Sequence, residues 1–142
     1  MLIDDDAGLR RVLTAGRVLA VVGLSADPTR PSFIAAKYML GHGYQVIPVN
    51  PQQTEILGQK CYARLADIPV PVDIVDCFRK SEDIPAIAEE AIAIGARTLW
   101  LQLGIRNEAA EQRALAAGLD VIADHCVKIE HARLIVGVNS AS

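Results

Sequence analysis

The chain has 142 residues, and we expect one domain over residues 1–142, which is long enough to bury a core. The net charge of −3 and the pI near 5.5 exclude the general attraction to nucleic acid or to anionic membranes that a basic protein has. Hydrophobic residues make up 51% of the chain and aromatic residues only 4%, so we expect the aliphatic core of an α/β fold.

The predicted elements alternate between helices and strands. In chain order they are a helix over 4–15, a strand over 18–22, a helix over 33–40 with Ser32 as its N-cap, a strand over 45–50, a short strand over 60–62, a helical turn over 65–68, a strand over 72–78, a helix over 81–95 capped by Ser81, a strand over 98–101, a helix over 107–118 capped by Asn107, a strand over 119–123, and a helical turn followed by a small-residue tail over 124–142. This alternation predicts an α/β fold: a Rossmann-like, doubly wound, mainly parallel sheet with helices on both faces.

The first strand and the helix after it are joined by a glycine turn. Residues 18–22 are apolar and uncharged, as in a strand buried on both faces, and the strand stops at Gly23. A helix N-terminus that follows such a turn binds phosphate through free backbone N–H groups. Because Ser25, Arg30 and Ser32 lie in this loop, a phosphate site is favoured over an ordinary turn without a ligand.

Ligands of open parallel sheets bind outside the carboxyl ends of the strands. We therefore take as candidates the residues that follow the predicted strands. They are Gly23, Leu24 and Ser25, then Asn50 and Pro51, then Phe78, Arg79 and Lys80, then Gln102, Leu103 and Gly104, and last Asp124, His125 and Cys126.

The glycine turn does not match a site for NAD. The loop GLSADP lacks the second and third glycines of GxGxxG, and Asn50 offers no carboxylate to the ribose hydroxyls. An arginine in the loop and a neutral ribose position suit a ligand with an additional phosphate. NADP and coenzyme A (CoA) both fit that description, and spacing alone does not separate them.

Several separate stretches resemble one family. VVGLSADPTRPS, GYQVIPVNP, EILGQKCYARLADIPVPVDIVDCFR, AIAIGARTLWLQLG and CVKIEHAR, in this order, are similar to small single-domain CoA-binding proteins, which are free-standing relatives of the CoA-binding domain of the succinyl-CoA synthetase α subunit. The resemblance covers the chain from about residue 9 to residue 133. It implies a Rossmann-like domain that holds CoA across the strand ends.

The resemblance also implies a role for each candidate residue. It implies that the phosphates are bound by Gly23, Ser25, Arg30 and Ser32, with Leu24 between them, and that the path of the pantetheine or pyrophosphate is bordered by Asn50 and Pro51. The adenosine would be bordered by Phe78 and Arg79, and the remaining wall would be formed by Gln102 and Gly104. No residue is assigned to catalysis or to a metal. The synthetase continues into a second domain where this chain ends, so we expect binding of CoA or an acyl-CoA without catalysis by this chain alone.

Two other functions stay open on the sequence. One is an NADP-dependent oxidoreductase, and the other is a nucleotide-sensing regulatory module with a protein partner. The run Asp124–Cys126 also invites a catalytic interpretation, against which we weigh a Cys126 that is simply a small buried side chain.

The cysteine count and the N-terminus bear on the compartment. Three widely spaced cysteines without CxxC argue against a zinc site or a disulfide framework. The N-terminus MLIDDDAGLRR is not a signal peptide, and no apolar run approaches the roughly 20 residues that span a bilayer. We expect a cytoplasmic protein.

Overall fold

The computed structural model of the protein describes residues 1–137, and its centre is a sheet of five parallel strands. The strands are β1 (Val18–Val22), β2 (Gln45–Val49), β5 (Ile74–Cys77), β6 (Thr98–Leu101) and β7 (Asp120–Ile122), in the order β2-β1-β5-β6-β7, and a short antiparallel hairpin of β3 (Glu55–Ile56) and β4 (Gln59–Lys60) lies apart from them. The helices are α1 (Asp6–Ala15), α2 (Pro31–Gly41), α3 (Ile84–Ala93), α4 (Glu108–Ala116) and α5 (Val127–His131).

The helices cover both faces of the sheet. On one face, α1, α2 and α5 pack Leu13, Met39 and Val127 against strand side chains that include Trp100. On the other face, α3 and α4 pack a second cluster that includes Ile84. The expected Rossmann-like, doubly wound parallel sheet is therefore confirmed, and burial on both sides explains why β1, β2 and β6 carry no charged residue.

The order of the strands reverses between β1 and β5. From β1 the chain crosses to β2 on one side, and it then returns to β5 on the other side. In doubly wound sheets such a switch leaves a crevice at the carboxyl ends of the two strands. The loops after β1 and β5 therefore border one crevice.

The strands match the prediction more closely than the helix caps do. β1 and β6 have the predicted bounds, and Asn107 caps α4 by accepting from the N–H of Ala110. The prediction of Ser32 as a cap is wrong, because α2 begins at Pro31 and Ser32 lies buried within it. Ser81 is not a cap either, since a 3₁₀ turn over Ser81–Asp83 precedes α3.

The segment after β7 is more helical than predicted. α5 continues into a π-helical turn over Ala132–Val136, and Val127 and Leu134 bury their side chains against the first face of the sheet. The predicted tail is therefore wrong up to residue 137, and residues 138–142 lie outside the described part. Within residues 1–137 no helix is both long and apolar enough to cross a membrane.

Candidate functional site

Two clefts open side by side at the carboxyl ends of the strands. We call the first the acidic pocket; it has a volume of about 960 Å³ and is lined by residues from the loops after β1 and β2, from the 63–65 segment and from the start of α3. We call the second the apolar pocket; it has a volume of about 740 Å³ and is lined by residues that follow β1, β5, β6 and β7. Both clefts share three residues, Gly23, Ser25 and Arg79.

The acidic pocket carries most of the charge. Its lining includes two arginines and four carboxylates, which are Arg64, Arg79, Asp27, Glu82, Asp83 and Glu90. Arg79 pairs with Asp83 at 3.2 Å. Carboxylate oxygens accept hydrogen bonds, so this cleft suits a ligand part that presents N–H and O–H donors.

The apolar pocket has the opposite character. Among residues 1–137, its charged side chains are all cations, namely Arg30, Arg79 and Lys80, and no carboxylate lines it. Its apolar lining consists of Pro31, Phe78, Leu103, Ile105 and Ile129. This cleft therefore suits an elongated ligand part that combines an anionic end with an aliphatic end.

The wall between the two clefts requires glycine at position 23. Gly23 has a φ of +85°, and a Cβ there would lie 2.6 Å from the carbonyl oxygen of Phe78 and 2.8 Å from Cδ of Arg79. The stem of Arg79 thus passes directly over Gly23. The guanidinium group is half-exposed, and it is the only cation that lines both clefts within residues 1–137.

The loop between β1 and α2 is fixed by its own hydrogen bonds. The N–H of Ser25 donates to Oγ of Ser32 at 3.0 Å, and the N–H of Asp27 donates to Oγ of Ser25 at 3.0 Å. Thr29 donates from its backbone N–H and its hydroxyl to Asp27, and the backbone bond lowers the pKa of that carboxyl. The loop is therefore preorganised before a ligand arrives.

Asn50 holds this loop from the end of β2. Its Nδ2 donates to the carbonyl oxygen of Leu24 at 2.9 Å, and its Oδ1 accepts from the N–H of Gln52 at 2.8 Å. Both polar atoms are thus engaged within the protein, while Asn50 and Pro51 still line the acidic pocket. Asn50 accordingly shapes the cleft as well as bordering it.

A buried carboxyl lies next to the residues that line the apolar pocket. Asp76 is in the middle of the sheet, and Gln102 Nε2 donates to its Oδ1. Gln102 Oε1 accepts from the N–H of Val127 at 3.3 Å, so the amide links β5, β6 and the first residue of α5. The other oxygen of Asp76 has no hydrogen-bond partner within residues 1–137, and burial raises the pKa of Asp76 to about 7.

Nine of the eleven residues predicted to bind the cofactor line one or both clefts. Those in the acidic pocket are Gly23, Ser25, Asn50, Pro51 and Arg79, and those in the apolar pocket are Gly23, Ser25, Arg30, Ser32, Phe78, Arg79 and Gln102. Leu24 is fully buried, and the N–H of Gly104 is bound to Asp124 Oδ1 at 2.6 Å; neither residue lines a cleft.

Other lining residues were not assigned to the site from the sequence. Ile129 and Ile105 lie on segments that follow a strand end by several residues, and Arg64 belongs to a region without a regular element. The candidates directly follow a strand or lie in the glycine-turn loop, and Ile105, Ile129 and Arg64 do neither.

The side chains of His125 and Cys126, which follow β7, have different surroundings. Cys126 is half-buried and lines the apolar pocket, so it is not the fully buried side chain considered above. His125 instead pairs with Glu130 at 3.3 Å and with Asp4 at 3.5 Å. The ammonium group of Lys128 lies 5.7 Å from the centre of the Tyr38 ring.

This geometry agrees with the comparison with known protein families. The model of the CoA binding domain matches residues 17–132, which span all five strands and both clefts. The chain belongs to the CoA binding domain family. The family fits the switch-point crevice and the glycine turn at its centre.

Individual relatives extend this result. The uncharacterized protein YneT of Bacillus subtilis is 43% identical over 126 residues, which cover 89% of this chain and 93% of YneT. A solved structure of a hypothetical protein from Pyrococcus horikoshii is 41% identical with a TM-score of 0.91, and 93% of each chain is covered.

A longer enzyme contains a related segment. The ADP-forming acetate–CoA ligase II of Archaeoglobus fulgidus is 30% identical over 79 residues, which are 54% of this chain but only 12% of the ligase. The CoA binding domain family is thus distantly related to synthetases of the succinyl-CoA synthetase type, as the sequence motifs indicated.

Proposed function

We propose that this protein binds CoA or an acyl-CoA across the carboxyl ends of its strands. The nucleoside lies in the acidic pocket, the pyrophosphate at Gly23, Ser25 and Arg79, and the pantetheine arm in the apolar pocket. This orientation places adenosine beside Asn50 and pantetheine beside Phe78, which is the reverse of the roles that the resemblance implied for these two residues. The observation that carries the proposal is the shared wall, since two clefts of different chemistry meet at one glycine turn and one arginine.

The charges favour this orientation over the reverse one. The adenine amino group and the free ribose 2′-hydroxyl are donors, and the acidic pocket offers carboxylate acceptors such as Asp27 and Glu90, while Arg64 in the same lining offers a cation to the ribose 3′-phosphate. The phosphates are strong acceptors that pair with arginine. The pantetheine arm is uncharged and partly aliphatic, which suits Phe78 and Ile129.

Calorimetric titration tests the proposal. We expect saturable binding of CoA, weaker binding of ADP, which lacks both the pantetheine arm and the ribose 3′-phosphate, and no saturable binding of NADP at the same concentrations. Binding of NADP without binding of CoA would instead support the oxidoreductase alternative, and the absence of binding by all three ligands would contradict the proposal.

We further propose that the chain holds its ligand without converting it, as a carrier, a sensor or a subunit of a larger acyl-CoA system. Incubation with acetyl-CoA should leave the thioester intact by chromatography. Release of CoA at a rate that depends on protein concentration would contradict this part alone. Native mass spectrometry of the protein purified from its own cells would identify both the co-purifying ligand and any protein partner.

The cytoplasm is the compartment that we propose. Cys61, Cys77 and Cys126 are all free thiols, which is the usual state in a reducing compartment. Cell fractionation tests this, and recovery of the protein outside the cytoplasmic fraction would contradict it.

A further inference from the structure

The far end of the apolar pocket exposes large aliphatic side chains. Leu103 is 64% exposed and Ile129 is 53% exposed, and both line this cleft together with Ile105. Water-exposed aliphatic surface gains free energy when a ligand covers it. Two such side chains in the lining of one cleft therefore indicate an aliphatic ligand group packed against them.

The polar groups at this end are already engaged inside the protein. Gln102 uses Nε2 to donate to Asp76 and Oε1 to accept from Val127, and the N–H of Gly104 donates to Asp124. The three cations of the cleft come instead from the segments after β1 and β5. A charged ligand group that Leu103 and Ile129 cover would lose water without gaining a partner from these engaged groups.

The distance across the sheet decides which part of a ligand reaches this end. β5 lies between β1 and β6, and neighbouring strands are about 4.8 Å apart, so the end of β6 is about 10 Å from the glycine turn. With the pyrophosphate held at Gly23 and Arg79, the pantetheine arm crosses β5. The arm is long enough to pass β6 as well and to reach the end of β7, about 14 Å from the glycine turn, so its sulfur arrives beside Cys126 and Ile129 and a group attached to the sulfur lies among the aliphatic side chains.

We propose that the preferred ligand is an acyl-CoA with an uncharged aliphatic acyl chain, and that Leu103 and Ile129 select this chain over a carboxylate-bearing one. This inference rests on the proposed function, because it assumes that CoA binds in the stated orientation. Butyryl-CoA and succinyl-CoA form a matched pair for it: both acyl chains have four carbons, and they differ in a terminal methyl group against a terminal carboxylate.

Calorimetric titration with CoA, acetyl-CoA, butyryl-CoA, hexanoyl-CoA and succinyl-CoA tests the inference. We expect the Kd to fall about twofold to fourfold for each added methylene group from acetyl to hexanoyl. We expect succinyl-CoA to bind at least about tenfold more weakly than butyryl-CoA. A flat series, or succinyl-CoA binding as tightly as butyryl-CoA, would overturn the inference.

Two variants and one control locate the selectivity. Leu103→Ser and Ile129→Ser should each reduce the ratio of butyryl-CoA to succinyl-CoA affinity. Ile34→Ser removes an isoleucine on α2 that is 43% exposed and lines neither cleft, so it should keep the wild-type ratio. An unchanged ratio in both pocket variants would also overturn the assignment.

The two proposals fail in different ways. If CoA binds and the acyl series is flat, the acyl selectivity is wrong and the CoA-binding function stands. If neither CoA nor any acyl-CoA binds, the proposed function itself is wrong, and the selectivity is wrong with it.

Discussion

The acidic pocket and the apolar pocket share a wall, but they treat carboxylates in opposite ways. In the acidic pocket, carboxylates line the cleft itself, and Asp83 is balanced by Arg79. In the apolar pocket no carboxylate from the described part of the chain lines the cleft, and the nearby Asp76 is buried within the sheet. One cleft therefore offers hydrogen-bond acceptors, and the other offers cations and aliphatic side chains.

The largest expected effect is that of the buried Asp76 carboxyl on the free energy of unfolding. Burial raises the pKa of Asp76 from 3.8 to about 7 in the folded protein, so the folded state holds a proton that the unfolded state has already released above about pH 4. Stability due to this group is therefore highest at low pH, falls as the pH rises and levels off above about pH 7. We expect a loss of about 2–3 kcal/mol between about pH 5 and about pH 8.

The variant Asp76→Asn isolates this contribution, since an amide does not titrate. Its free energy of unfolding, measured by chemical denaturation at both pH values, should lack the downward slope of the wild-type protein. Parallel pH curves for the two proteins would mean that Asp76 is ionised in the folded state. Asp76 would then be charged, like the carboxylates that line the acidic pocket, and the contrast between the two clefts would not extend to this residue.

The shared arginine gives the next largest effect. Arg79→Ala removes the only cation that lines both clefts within residues 1–137. A hydrogen bond to a charged group contributes about 1.5–3 kcal/mol, so the affinity for CoA should fall about 10-fold to 100-fold. Arg30→Ala, which touches the apolar pocket alone, should also weaken binding, but less.

Arg97→Ala is the matched control for these two variants. Arg97 is exposed and precedes β6, so it lies at the opposite end of the sheet from both clefts. We expect this variant to bind CoA like the wild-type protein by calorimetry. Unchanged affinity in both Arg79→Ala and Arg30→Ala would remove the two arginines from the site.

Filling the acidic pocket should weaken the binding of one half of the ligand and leave the binding of the other half unchanged. Ala86 is an exposed residue of α3 that lines the acidic pocket, and Ala86→Phe would fill part of that cleft. We expect binding of both CoA and ADP to weaken about tenfold, and binding of 4′-phosphopantetheine to stay unchanged. Ala109→Phe, an exposed position on α4 outside both clefts, is the control. Weaker binding of 4′-phosphopantetheine alone would reverse the proposed orientation.

The strands were predictable from the sequence because their cause is local. An uncharged, aliphatic run such as 18–22 has few alternatives to a buried strand, and burial on both faces then confirms it. The positions that follow each strand were predictable for the same reason. Most of the candidate residues came from this one rule.

The helix caps and the hydrogen bond between Gln102 and Asp76 beside the apolar pocket were not predictable in this way. Ser32 has the composition of an N-cap, but its hydroxyl instead accepts from the N–H of Ser25, seven residues earlier. Gln102 and Asp76 are 26 residues apart and meet only because β5 and β6 are neighbours in register. Such contacts depend on the tertiary arrangement, which a local pattern does not contain.

The smallest expected effect on affinity concerns Cys126, whose thiol lines the far end of the apolar pocket. Under reducing conditions Cys126→Ser should bind CoA within about twofold of the wild-type protein, because a thiol forms only weak hydrogen bonds. With CoA disulfide present, the thiolate of Cys126 is expected to attack one sulfur, form a mixed disulfide and release one CoA thiol. Intact-mass analysis should show one CoA adduct that disappears in Cys126→Ser and persists in Cys61→Ser and Cys77→Ser, whose sulfurs are buried. An adduct on another cysteine would place the sulfur of CoA away from the apolar pocket.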